Sequence, residues 1–136
     1  MTHKFLTVAV AGALLLGACG SSSKSSAASA PVKLSGTVNN KGTKVVSGTS
    51  VSVALADFAF TPTYIEAKPG TKLTVQLKNT GTTTHTFTIA SPATDKSLVP
   101  GSSGTVTVTV PQSGSLNFYC RFHRGIGMQG AIVAKA

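Results

Sequence analysis

Three metal-donor side chains crowd into nine residues near the C-terminus: the thiol of Cys120, the imidazole of His123 and the thioether of Met128. They lie in the stretch Phe118-Tyr119-Cys120-Arg121-Phe122-His123-Arg124-Gly125-Ile126-Gly127-Met128-Gln129-Gly130, and a second imidazole, His85, stands well upstream. Sulfur combined with imidazole suits copper, whereas a hard cation asks for carboxylates and carbonyls. Two imidazoles, a thiolate and a weak axial thioether form the ligand list of a type 1, or blue, copper centre. A fold that uses all four must bring His85 to the same end of the molecule as the loop from Cys120 to Met128.

Taken one at a time these residues have ordinary explanations. A lone His at a strand end is more often a surface or core residue, and a lone Met or buried Cys usually serves packing. The inventory changes the balance: beyond Cys19 the chain holds one Cys, two His and one Met, and all four belong to the set. No histidine remains for a second copper centre, which argues against a copper oxidase or nitrite reductase. Zinc also binds Cys and His, but a structural zinc site wants four strong donors in a closed tetrahedron, and a thioether is a poor fourth. The expectation is one copper ion and electron transfer without catalysis.

The N-terminus reads as an export signal. Met1 to Lys4 is a short basic start, and Phe5 to Gly17 is an apolar run of 13 residues, too short for a typical membrane span. Leu16-Gly17-Ala18-Cys19 resembles the lipobox of bacterial lipoproteins. That implies a signal peptide over residues 1–18, diacylglyceryl attachment to Cys19 and a membrane-anchored protein of the cell envelope, two acyl chains being enough for stable anchoring. Ordinary signal cleavage nearby would instead release a free secreted protein. With Cys19 modified, Cys120 has no disulfide partner in the chain, an unusual state for an exported thiol unless a metal holds it. Residues 19–31, rich in Ser and Ala, read as the lipidated Cys and a flexible tether.

Residues 32–136 are left for the folded domain, with 32–50 as an extension of open structure. In it Val32, Leu34, Val38, Val45 and Val46 form either two short strands around Asn39-Asn40-Lys41-Gly42 or an ordered wrap. From Val51 onward the period is two. Val51, Val53 and Leu55 share a face, but Phe58 and Phe60 have the opposite parity, which predicts a bulge or kink at Ala56-Asp57. Lys68-Pro69-Gly70 reads as a type II turn, and Leu73, Val75 and Leu77 as a half-buried strand. Thr86 to Ala90 is a strand with His85, Phe87 and Ile89 on one side and threonines on the other. Ser91 to Ser103 reads as a polar loop with a short helical turn near Asp95 to Leu98. Val106, Val108 and Val110, then Leu116, Phe118 and Cys120, supply further inward faces, and a last strand spans about Gly130 to Lys135. Short alternating strands separated by Gly/Pro turns make an all-β sandwich.

The spacing Cys120-x2-His123-x4-Met128 followed by Gly130, with the upstream His85-Thr86-Phe87, resembles the plastocyanin-like cupredoxins. Phe58-Ala59-Phe60-Thr61-Pro62, Ile65 and Pro69-Gly70-Thr71 are similar to the opening strands of that family, and the resemblance covers about Val51 to Lys135. It implies a Greek-key β-sandwich of two sheets, a single type 1 copper held by His85, Cys120, His123 and Met128, and an electron exit through His123. Arg121, Phe122, Arg124 and Ile126 flank that exit as a rim for docking redox partners. From Cys19 onward eleven basic residues face three acidic ones, a formal charge of +8, which fits either a solvated surface attracted to anionic lipid beneath the anchor or a basic rim that steers partners with acidic surfaces. A nucleic-acid role does not fit scattered basic residues in an exported chain. The alternative function is copper handling, by delivery or storage, although such proteins commonly repeat Met or Cys donors and this chain has one of each after Cys19.

Overall fold

The computed structural model describes residues 30–136. The expected signal peptide, Cys19 and nearly all of the tether lie outside the described residues. Ten strands follow in chain order: β1 (Thr43–Val46), β2 (Ser50–Ala56), β3 (Ala59–Thr61), β4 (Tyr64–Ala67), β5 (Lys72–Asn79), β6 (His85–Ile89), β7 (Thr94–Leu98), β8 (Ser103–Thr109), β9 (Ser115–Tyr119) and β10 (Gln129–Ala134). They form a six-stranded sheet in the order β1-β4-β10-β9-β6-β7 and a four-stranded sheet in the order β3-β2-β5-β8. The fold is the expected all-β sandwich of two sheets.

Period-two patterning decides which face of each strand is buried. In β5, Leu73, Val75 and Leu77 turn into the core while Lys72, Gln76 and Lys78 stay at or near the surface. In β2, Val51, Val53 and Leu55 do the same. The turn at Lys68-Pro69-Gly70 forms as read, with Thr71 N–H donating to Lys68 O at 3.2 Å and Gly70 at φ 74°. At the centre of the sandwich, Phe60 of β3 meets two rings from the opposite sheet. Its centroid lies 5.0 Å from Phe118 and 6.0 Å from Phe87, edge to face, while Phe87 and Phe118 stack at 4.7 Å. All three are fully buried and clamp β6, β9 and β3 together.

Two expectations need correction. The break at Ala56-Asp57 is a complete chain reversal, with Ala56 opposite Ala59 in an antiparallel β2–β3 hairpin. The reversal keeps the Asp57 carboxylate out of the core, where Thr82 N–H and hydroxyl donate to it, and it leaves Phe58 at the tip with φ 71°. Asp95 to Leu98 is part of β7 rather than a helical turn, because it pairs with the flank of β6 from His85↔Leu98 to Ile89↔Thr94. The threonine side of β6 is buried as well: Thr86 and Thr88 bond to each other through their hydroxyls, and Thr88 donates to Asp95. Of the two readings of residues 32–50, the ordered wrap holds ahead of β1: the stretch contains β1, the start of β2 and no strand before β1. The stretch ahead of β1 wraps the sandwich, and Leu34 packs with Tyr64 and Ala131.

Because Phe118 is fully buried and packs against rings of both sheets, Phe118→Ala is expected to destabilise the metal-free protein by about 3–5 kcal/mol in chemical denaturation.

Candidate metal centre

The loop between β9 and β10 carries three of the four candidate donors. Gln129 pairs with Tyr119, so residues 120–128 form the connection between two adjacent antiparallel strands. β6 lies on the other side of β9, and the antiparallel match Thr88↔Tyr119 runs its first residue, His85, back alongside that loop.

Local hydrogen bonds shape the loop. Cys120 N–H donates to Met128 O at 3.0 Å and Met128 N–H to His123 O at 3.1 Å, so Cys120, His123 and Met128 are tied backbone to backbone. Arg124–Ile126 forms one 3-10 turn, closed by Gly127 at φ 104°, a left-handed conformation that favours glycine.

The result is a convergence of donor atoms. One ligand atom each from His85, Cys120 and His123 lies within 4.8 Å of the others. Both imidazoles present Nδ1: the two Nδ1 atoms are 3.2 Å apart, and Cys120 Sγ is 3.9 Å from that of His85 and 3.5 Å from that of His123. His85 and Cys120 are fully buried and His123 is partly exposed. Met128 is fully buried in the same apolar cluster as Cys120.

Three neighbours prepare this set. Asp57 Oδ1 lies 3.0 Å from His85 Nε2. A carboxylate there accepts a hydrogen bond from Nε2–H and so keeps the proton on Nε2, which leaves the Nδ1 lone pair of His85 facing Cys120 and His123. Hydrogen bonds from the Thr82 hydroxyl and amide, then from His85, pull the Asp57 pKa down to about 2, which keeps the carboxylate charged. Thr86 N–H points at Cys120 Sγ at 3.4 Å, a bond that tunes charge on the sulfur. The Phe58 ring meets His123 edge-on with centroids 4.8 Å apart. Burial, and next the electrostatic effect of the adjacent His85 ring, hold His123 below the usual imidazole pKa, against a smaller opposing pull from Asp57. Its neutral, ligating form is thereby favoured.

Comparisons with known proteins agree with this geometry. The family model of the cupredoxin-like domain matches residues 9–134. The chain belongs to the cupredoxin-like family. Among solved structures it is similar to the sodium-dithionite-reduced auracyanin of the photosynthetic bacterium Roseiflexus castenholzii, at 25% identity and TM-score 0.57, over 67% of this chain and 100% of that one. It is also similar to auracyanin B, at 19% identity and TM-score 0.57, over 75% of this chain and 96% of that one. The metal binding domain of the Cu(I)-exporting P-type ATPase CopA of Streptococcus pneumoniae D39, solved with Cu(I), shares the fold at 9% identity and TM-score 0.61, over 71% of this chain and 98% of that one. No curated protein sequence matches.

The cupredoxin site fits a single type 1 copper. Two imidazole nitrogens and a thiol sulfur converge, a buried thioether follows in the same loop, and Asp57 is engaged behind His85 rather than aimed among the donors. Around His123, Phe122 is 58% exposed and Ile126 53%. The two arginines differ. Arg121 forms a two-pronged ion pair with Asp95, Nε to Oδ1 and Nη2 to Oδ2 both at 3.0 Å, while the Arg124 guanidinium lies 4.5 Å above the Tyr119 ring.

Asp57, Phe58 and Asn39 were not among the residues expected at the site. Asp57 left one trace in the sequence, an acid at the break in alternation, and Phe58 another, an aromatic of the wrong parity. Asn39, whose side chain donates to Phe58 O and Ile126 O, left none.

Two outcomes follow from the Asp57–His85 pair. A Cβ on Gly81 would collide with Asp57 Oδ1 and His85 Nε2, so Gly81→Ala is expected to weaken copper affinity by about 10–100-fold in competition with a chelator. Asp57 is depressed from 3.8 to about 2, so the unfolded chain binds its proton first as pH falls. That stability is present above pH 3.8 and is lost toward pH 2 in the metal-free protein, and Asp57→Asn is expected to flatten this part of the denaturation-versus-pH curve.

Proposed function

We propose that this cupredoxin is a type 1 copper protein that carries single electrons between redox partners in the cell envelope, tethered to the membrane by a diacylglyceryl group on Cys19, and that it catalyses no reaction of its own. The observation that carries the reading is the meeting of His85 Nδ1, His123 Nδ1 and Cys120 Sγ, with His85 and Cys120 buried and His85 pinned from behind by Asp57. These three side chains, with the Met128 thioether as a weaker fourth donor, would hold a copper ion, which would supply one-electron chemistry, since both of its common oxidation states accept this donor set.

The protein's own groups do the rest. Cys120 gives up its proton on binding, so affinity falls in acid. Asp57 fixes the tautomer and ring plane of His85, and Thr86 N–H tempers charge on the sulfur. Donors fixed by two packed sheets and a bonded loop have little to rearrange when one electron enters or leaves. The auracyanin at 25% identity is described in a dithionite-reduced form, which supports a site with a reduced state.

His123, partly exposed among Phe58, Phe122 and Ile126, is the exit for the electron. Arg124 is the stronger candidate for steering an acidic partner, because the charge of Arg121 is matched by Asp95. The lipobox-like Leu16-Gly17-Ala18-Cys19 supports the tether.

The test is the visible absorption spectrum after copper(II) is added, beside Cys120→Ser. The expected result is an intense thiolate-to-copper band that bleaches reversibly with reductant and is absent from the variant. A colourless protein that binds copper(I) would point instead to copper delivery or storage.

A further inference from the structure

Resting on the copper reading for the identity of the metal, we propose that Asn39 is a positioning residue that locks the metal-binding loop to the β2–β3 hairpin and so fixes the two imidazoles relative to each other. Asn39 lies in the stretch ahead of β1, far in sequence from every candidate ligand. Both N–H directions of its side-chain amide are used: Nδ2 donates to Phe58 O at 2.8 Å and to Ile126 O at 2.9 Å. Its backbone N–H donates to Gly127 O at 2.9 Å, and its backbone carbonyl accepts from the Thr63 hydroxyl at 3.3 Å. One residue therefore joins the wrapping segment, the hairpin tip and the turn between His123 and Met128.

The fit is close on both sides. A Cβ on Gly127 would sit 2.8 Å from Asn39 Cγ and 2.9 Å from both of its terminal atoms, so the loop approaches Asn39 as only glycine allows. Two residues on, Gln129 repeats the pattern in reverse, its Nε2 donating to Ser35 O and Thr37 O, each at 2.7 Å. The wrapping segment thus grips residues 126–129 from both ends.

What the hairpin tip carries gives this grip its consequence. Asp57 holds His85 Nε2, and the neighbouring Phe58 backs the His123 ring from a backbone at φ 71° whose carbonyl Asn39 fixes. Releasing Asn39 lets the tip and the loop move apart, and each imidazole then follows a different element. The bonds to Phe58 O and Ile126 O need a donor, so Asp at this position keeps the shape and loses the function.

The experiment compares Asn39→Ala and the near-isosteric Asn39→Asp with Asn40→Ala. Asn40 accepts from Gly42 N–H in the same segment. Backbone hydrogen exchange at Ile126, Gly127 and Met128 is measured in the metal-free protein. Copper transfer to excess chelator is measured in the loaded protein, at a temperature where every variant is folded. Both Asn39 variants are expected to exchange these amides faster and to release copper about 10–100-fold faster, as for loss of other groups that orient metal ligands, while Asn40→Ala stays at the wild-type rates. Wild-type rates in the Asn39 variants, equal effects from Asn40→Ala, or loss of the fold in both Asn39 variants would overturn the proposal, the last two by marking the segment as a general stabiliser. If the wild-type protein takes up no copper, the carrier reading fails, and the amide exchange still decides whether Asn39 locks the loop.

Discussion

Antiparallel pairing of β6 with β9 turns scattered residues into a site. Thr88 stands opposite Tyr119, and from that point the two strands run so that His85 comes abreast of the residues after Cys120. A slip of one residue would turn His85 to the other face of the sheet. The stacked Phe87 and Phe118 rings resist such a slip, and Phe60 presses on both from the opposite sheet. Core packing and ligand placement are therefore one problem: the side of β6 that buries Phe87 and Ile89 is the side that delivers His85.

Around this frame the polar groups are fully used. Among the described residues no buried side-chain nitrogen or oxygen lacks a partner. Asn79, buried at the end of β5, donates to Thr83 O and Leu98 O and accepts from Gly81 N–H, which shapes the turn just ahead of His85. The same turn presents Thr82 to Asp57, and Asp57 reaches back to His85. Each group that touches an imidazole is itself held, which limits the ways the donors can move. A site that is to exchange electrons quickly needs that restraint, since every displacement that accompanies a change of charge slows the exchange.

Much of this was legible in the sequence. His85, Cys120, His123 and Met128 could be read because a chain with one Cys, two His and one Met beyond Cys19 offers few other soft donors. The strands β2, β5, β8 and β9 announce themselves by alternation. Less legible were elements whose structure depends on partners distant in sequence. β7 is mostly polar, Thr-Asp-Lys-Ser, and becomes a strand because β6 offers an edge and Asp95 finds Thr88 and Arg121. Residues 30–42 form no strand, and their order comes from hydrogen bonds to Gln129, Gly127 and Thr63 and from the packing of Leu34 with Tyr64 and Ala131. Asp57 could be seen as an acid that does not belong in a core, but its pairing with His85 depends on the hairpin and on the room left by Gly81.

The central claim is that the sandwich holds two imidazoles and a thiolate in one arrangement that serves both oxidation states. Copper X-ray absorption on the oxidised and the reduced protein measures this most directly. The account predicts one short sulfur and two imidazole nitrogens around the metal, at nearly the same distances in both states. Loss of a nitrogen on reduction, or a coordination shell without the short sulfur, would contradict it.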